Sequence, residues 1–427
     1  MSRVLVAFLI TCCARVAWAQ GAAAYDPQGV HVDAEGVLRS KTVDSDPRLA
    51  ELWKSAKNLK KDDRLLYISL PRLFAEARKT VEAGKPLPDE IRYLGGMTKL
   101  QFIFVYPEEK DVVIAGPAEP FDTKVPYRPL GLVTGRPVLH FDDLVVALRA
   151  FASERKPDRL GCDIQITQEI ADRISKKITA VGPAAQVTGF KKAAEAVAEA
   201  GGPQPVKFYG VDPETRFAFV CVEADFRLKQ LALGIYASPV VKVLSYRNLM
   251  EKPEAAHRFS LESNYDALLV SPSGRAFQLK GPSLKIGGGL LGKPDSKDED
   301  MSPAARKFKS LCNENFEALL RHIVCWSDLA NLGDLSVLAA LVGGEVKEKA
   351  ALDLSWVLDA KACAVARMAA PKSAMTQCSY KSDGKMAIFI SGGVWIKPAE
   401  WAEKRAKDET LDEKTGRPDG AGWNAKR

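Results

Sequence analysis

Apolar positions along this chain change period several times, and each change marks an element. Residues 65–68 are a short apolar run that reads as a strand. Ser69, Pro71 and the spaced Leu73, Phe74, Ala77 and Val81, closed by Gly84, predict a capped helix. Residues 100–105 and 111–115 are dense in β-branched and aromatic side chains around Tyr-Pro-Glu-Glu-Lys, which predicts a hairpin. Leu144, Val145, Leu148 and Phe151 repeat at helical spacing behind Asp142 and Asp143, acids suited to a helix start. Thr167 caps a further helix carrying Ile170, Ile174 and Ile178, and residues 191–200 form another, stopped by Gly201 and Gly202.

Residues 206–209 and 216–222 read as strands on either side of Asp212-Pro213-Glu214, the second feeding a helix over 224–233. The later half opens with a hairpin, 266–270 against 275–279, around Ser-Pro-Ser-Gly. Residues 281–300, glycine-rich and then charged, read as a loop. Ser302-Pro303 starts a long helix through Phe308, Leu311, Phe316, Leu319 and Leu320. A second follows over 326–341, with Gly333 as a candidate kink. Strands are expected at 352–358, 362–366 and 386–390.

The pattern predicts an α+β fold, with mixed helices and antiparallel hairpins in two domains and a strand-rich C-terminal block. The expected divisions are a leader 1–19, a loose arm 20–63, a first domain 64–255, a second 256–398 and a charged tail 399–427. The tail is expected to fray and then lose order.

The leader changes the setting of everything else. Residues 4–14 are apolar but too short to span a bilayer, and they lie between Arg3 and a small-x-small site, Ala17-Trp18-Ala19. This predicts a secretory signal peptide and a secreted or periplasmic protein. The lipoprotein alternative, with Cys12 modified, is disfavoured by Thr11 before it. Later apolar stretches are too interrupted to act as a transmembrane anchor. Outside the cytoplasm no nucleotide or nicotinamide pool is available, so no cofactor is expected.

Length and composition fit this picture. The chain has 427 residues, 46% hydrophobic, enough for more than one ordinary core. Lys and Arg number 61 against 54 acids; without Arg3 and Arg15 the excess falls from +7 to +5. Both signs are interspersed, which argues against a dedicated nucleic-acid surface. Of eight cysteines, Cys12 and Cys13 leave with the leader, and Cys162, Cys221, Cys312, Cys325, Cys363 and Cys378 remain. Disulfides are permitted in an exported chain, and Cys363 with Cys378, both in the expected strand-rich end, is the candidate pair.

Common catalytic signatures are missing. Gly287-Gly-Gly-Leu-Leu-Gly292-Lys293 has phosphate-loop spacing, but Pro294 stands where magnesium would need a hydroxyl, and acids follow. The four histidines, His31, His140, His257 and His322, are scattered. His322 with Cys312 and Cys325 lacks the short CxxC of structural zinc sites, so no metal is expected. Neither HExxH nor Gly-x-Ser-x-Gly occurs, although a triad built from distant residues would leave no such trace.

The candidate ligand surface is Glu223-Ala-Asp225-Phe-Arg227-Leu-Lys229. Asp225 and Lys229 can pair along one helix face. With Arg227 they could instead present charge to an anionic group, with Asp142 contributing from elsewhere. Adjacent acids on a helix diverge by about 100°, so Asp142 and Asp143 cannot address one bond together. Tyr93-Leu-Gly-Gly96 reads as a tight turn.

Several phrases taken together resemble a domain-of-unknown-function family of large, often exported planctomycete proteins. They are Leu87-Pro-Asp-Glu-Ile-Arg-Tyr-Leu-Gly-Gly96, Phe104-Val-Tyr-Pro-Glu108, Ile114-Ala-Gly-Pro-Ala118 and Gly135-Arg-Pro-Val-Leu139. The segments 142–149 and 223–229, Asn331-Leu-Gly-Asp334 and Ile390-Ser-Gly-Gly-Val394 extend the likeness over roughly residues 65–395. Phe226 and Leu228 stand where relatives carry Tyr and Met. The resemblance implies an envelope or secreted protein and supplies no catalytic residue.

The expected function is therefore an exported, soluble cell-envelope binding or scaffolding protein. Its partner would be an anionic ligand or an envelope protein, met at Asp142, Asp225, Arg227 and Lys229. The alternative is a secreted hydrolase using Asp142 and Asp225 as acid and base, which needs the two within about 10 Å across an open cleft. A purely structural assembly protein would instead show a broad exposed apolar patch.

Overall fold

The computed structural model describes residues 30–40, 64–123, 127–152, 156–181, 189–252, 254–293, 296–381, 387–411 and 422–426. The leader, most of the expected arm, and residues 412–421 and 427 of the expected tail lie outside them. The described residues open with β1 (Val30–Val32), β2 (Val37–Ser40) and β3 (Leu65–Ser69), and β3 runs directly into α1 (Leu70–Glu82). The hairpin β4 (Phe102–Tyr106) and β5 (Asp111–Pro117) precedes α2 (Phe141–Phe151) and β6 (Leu160–Ile164). Two helices, α3 (Gln168–Val181) and α4 (Phe190–Gly201), lead to β7 (Pro203–Tyr209) and α5 (Arg216–Leu233). Then come β8 (His257–Ser263), β9 (Leu268–Val270), β10 (Ala276–Leu279) and β11 (Leu284–Leu290). Four helices follow: α6 (Pro303–Glu314), α7 (Phe316–His322), α8 (Val324–Val342) and α9 (Glu345–Ala350). The chain closes through β12 (Ser373–Met375), β13 (Ile390–Ile396), α10 (Ala399–Lys404), β14 (Ala406–Lys407) and β15 (Asn424–Lys426).

Two large sheets carry the fold, which is α+β as the pattern predicts. One has eight strands in the order β1-β2-β12-β7-β6-β13-β8-β11; the other has seven, β14-β9-β10-β4-β5-β3-β15. The expected boundary at 255/256 runs through both. β8 and β11 share a sheet with β6 and β7, and β10 pairs with β4. One continuous apolar core reaches from Val30 to Trp401. Periodicity shows where strands are and not which strands meet, so the division into two domains is corrected to interleaved sheets.

The helix α5 lies at the centre. It packs on β6, β8 and β13 with one side and on α8 with another, and α8 in turn packs on α2. All 18 of its residues are buried. Thr215 caps its start, its hydroxyl accepting from the Ala218 N–H, and Gly234 ends it at φ 65°. Residues 216–222 were expected to be a strand because Phe-Ala-Phe-Val-Cys-Val is β-branched and aromatic. A helix apolar all round looks the same when it is buried on every side.

Other differences have similar causes. Leu284–Leu290, inside the expected loop, is a strand whose glycines were read as turn formers. Residues 352–358 hold a helical turn, Ser355–Leu358, and 362–366 form no strand. Gly333 does not kink α8, which is continuous and lets Ser283 approach closely. Part of the loose arm is ordered, since β1 and β2 form a hairpin that joins the sheet through β12. In the tail, β15 pairs with β3.

Candidate functional site

The residues expected to bind an anion are inside the protein. Asp225 is wholly buried, and its carboxylate takes a 2.8 Å hydrogen bond from Lys229 Nζ on the next turn. Burial pushes the Asp225 carboxyl up, and Lys229 opposes the shift. Arg227 donates to Gln230 Oε1 at 2.7 Å, its guanidinium stands 4.6 Å from the Tyr236 ring, and Gln230 donates on to Ser40. These groups stitch α5 to its surroundings and present no charge to solvent. Asp142 is half-buried and accepts the Ala366 N–H at 3.1 Å. Burial raises its carboxyl as well. Asp142 and Asp225 therefore share no open cleft, and the hydrolase geometry is not formed. Cys363 and Cys378 are free, buried thiols in separate apolar clusters, so the expected bridge is not made. The pairing presumes one strand-rich block, and neither cysteine lies in a strand.

Beside α5 lies a buried ionic cluster that no sequence pattern announced. Arg128 grips Glu223 with both terminal nitrogens, at 2.5 and 3.2 Å, and donates to Asp328 at 2.8 Å. Arg216 reaches the same Asp328 at 2.6 Å and also pairs with Asp143. Three carboxylates thus face two guanidiniums, so one negative charge is in excess. Asp143 carries the consequence: burial pushes it up to about 7, although Arg216 opposes this. His140, also buried, is held well below its usual value by desolvation and then by Arg216 and Arg128. The cluster ties α5, α2, α8 and the Arg128 segment together. Its members are up to 200 residues apart in the chain, which is why spacing could not reveal it.

A second buried acid, Asp334 on α8, is pushed up to about 7 by burial. It lines a polar cavity of about 20 Å³ with Lys99, Arg136, Glu317 and Asn331. That is room for about one water molecule.

A different kind of surface lies on the side of the eight-stranded sheet away from α5. Alternation puts Leu160, Cys162 and Ile164 of β6 in the core and sends Arg159, Gly161 and Asp163 outward. The register then aligns cross-strand rows. Asp163 stands opposite Lys207 on β7 and Gly393 on β13; Gly393 lies opposite Ser260 on β8, and Ser260 opposite Gly287 on β11. One row further along, Tyr209, Gly161, Trp395, Glu262 and Lys285 line up in the same way.

Cations and rings alternate across this face. Lys207 Nζ lies 5.3 Å from the Tyr209 ring centre. Arg159 stands 4.0 Å from Tyr209 and 5.8 Å from Trp395, and Arg258 lies 5.0 Å from Trp395. Asp163 fastens both rings, accepting from Trp395 Nε1 at 2.6 Å and from the Tyr209 hydroxyl at 2.9 Å. Burial and then this bond push the Tyr209 phenol up to about 12. Two glycines make the arrangement possible. A Cβ on Gly393 would stand 2.1 Å from Asp163 Oδ1, and one on Gly287 would stand 2.0 Å from the Glu262 carboxyl carbon. Both carboxylates thus lie flat over bare backbone. Lys207 is exposed, and Arg159, Asp163, Tyr209, Arg258, Glu262, Lys285 and Trp395 are half-buried. Sequence reasoning missed this set. Its only trace was the period-two alternation in 160–164 and 390–396.

Together these features define an α+β protein with a central buried helix and one sheet face lined by charged and aromatic side chains. Residues 162–246 match the family described as Protein of unknown function (DUF1598). That span runs from β6 through α5 and holds Asp163, Lys207 and Tyr209, while Arg258, Glu262 and Trp395 come from outside it. No curated protein and no solved structure matches the chain.

Proposed function

We propose that this is a binding protein whose ligand, an anionic molecule, is received on the outer face of the eight-stranded sheet. The observation that carries the reading is the alternating series Lys207, Tyr209, Arg159, Trp395 and Arg258. A guanidinium held against an aromatic face keeps its donors in a fixed plane, so little ordering cost remains when it meets a carboxylate or phosphate. Four cations, Arg159, Lys207, Arg258 and Lys285, outnumber the acids Asp163 and Glu262 there. The helices α5 and α6 pack on the opposite side of the sheet, where Phe308 meets Phe259. Export to the envelope and kinship with exported planctomycete proteins belong to the same proposal. They rest on the leader 1–19 and the phrases quoted above.

The test is retention on an immobilised acidic polymer at low salt. Arg258→Ala should elute at clearly lower salt than wild type. Arg78→Ala, which removes the same charge from the exposed face of α1, should shift elution far less. Equal shifts would reduce the effect to net charge and refute the reading.

A further inference from the structure

Resting on that reading, we propose that the ligand is a uronate-containing glycan, an oligosaccharide whose carboxylates are separated by neutral hydroxyls. The argument is the order of charge on the face. Arg159 and Arg258 both lie within 5.8 Å of the Trp395 ring centre, so their guanidiniums are at most about 11 Å apart. The Asp163 carboxylate is bonded to that same indole, and Glu262 stands opposite Trp395 on the next strand. Cations and acids are therefore interleaved rather than gathered into one patch.

A nucleic-acid strand carries a charge about every 3.4 Å. Laid across this face, it would press phosphates against Asp163 and Glu262 as well as against the arginines. A uronate chain avoids that conflict. Its carboxylates can take the bidentate donors of Arg159 and Arg258, and the hydroxyls between them can donate to the two acids. Glu262 is well placed for this. One of its oxygens takes the Ser260 hydroxyl at 2.5 Å, and its carboxylate rests over Gly287 rather than over another side chain. Gly393 and Gly287 let the Asp163 and Glu262 carboxylates lie low against the sheet, which keeps the face shallow enough for an extended chain.

The experiment is isothermal titration of the full chain with an oligogalacturonate and, separately, with a linear polyphosphate. The oligogalacturonate should bind more tightly. Glu262→Gln, which keeps size and shape, should weaken oligogalacturonate by roughly tenfold, the value of a hydrogen bond to a charged group, and should strengthen polyphosphate. Circular dichroism checks that the variant is folded, and Asp163→Asn is a second variant with the same expected signs. Polyphosphate binding that exceeds oligogalacturonate binding and depends on Arg258 would overturn this inference and leave the anion-binding reading standing. Unchanged glycan affinity in both variants would also overturn it. Failure of both ligands, with Arg258→Ala eluting like Arg78→Ala, would overturn the two together.

Discussion

Trp395 and Asp163 are joined across neighbouring strands by a 2.6 Å bond from the indole nitrogen to the carboxylate. The other oxygen of that carboxylate holds Tyr209, so one acid sets the position of two rings. Trp395→Phe keeps an aromatic platform for Arg258 and Arg159 but removes the donor. It should therefore fold, lose part of its ligand affinity and leave Asp163 bound to Tyr209 alone. Trp395→Ala should lose most of the affinity. Titration of both variants checks the order; equal affinity in the two would assign the binding to something other than the ring.

The buried cluster should behave as a structural clamp. Glu223→Leu or Arg128→Met removes one member and leaves its partner charged in the interior. Such single losses cost about 3–5 kcal/mol. The pair Arg128→Met with Glu223→Leu should cost less than the two single changes summed, because no orphaned charge is left between them. Urea unfolding of the three variants measures this. Additive losses would mean the two residues act independently.

Stability should depend on pH through the buried acids. Asp334 and Asp143 sit near 7 in the folded chain against an ordinary 3.8. The native state therefore holds extra protons between about 4 and 7. Their contribution is complete below about 4 and is lost as pH rises to 7, by up to about 1.4 kcal/mol per unit for each group. His140 and His257 act in the opposite sense. Burial lowers both from 6.5, so acidification through 6.5 costs stability. The clean readout is therefore a difference. Wild type should lose stability relative to Asp334→Asn between pH 5 and pH 8, as measured by urea midpoints. A difference independent of pH would contradict the assignment.

All six cysteines of the described residues are buried and none forms a disulfide there, and burial pushes the Cys378 thiol up to about 12. Native protein should react slowly with a thiol reagent, and Cys363 and Cys378 should label fully only in denaturant. A bridged peptide containing both in non-reducing mass spectrometry would reinstate the pairing expected from sequence.

Elements built on local signals were legible in the sequence. Pro71 and Gly84 bracket α1, although the Ser69 hydroxyl donates to Asp111 instead of capping it; the Pro-centred turn marks β4 and β5, and Ser302-Pro303 starts α6. What failed was reading total burial. The segment from Phe217 to Val222 is as apolar as a core strand, and only its packing on three strands and α8 makes it the first turns of α5. The charged run from Glu223 to Lys229 looked like a surface for the same reason. An ion pair inside a helix and one at its edge share the same spacing, and the deciding partners, Arg128 and Ser40, lie far away in the chain. The outer sheet face was hidden more deeply, because Arg159 just before β6, Trp395 on β13 and Arg258 on β8 lie far apart in the chain and meet only through register.

The most direct test is hydroxyl-radical footprinting of the full chain with and without oligogalacturonate. Protection is expected at Trp395 and Tyr209, with no change at Trp326 or Tyr246, which are buried near α5 and beside β8. Protection elsewhere, with Trp395 and Tyr209 still oxidised at the unliganded rate while ligand is bound, would contradict the outer face as the binding surface.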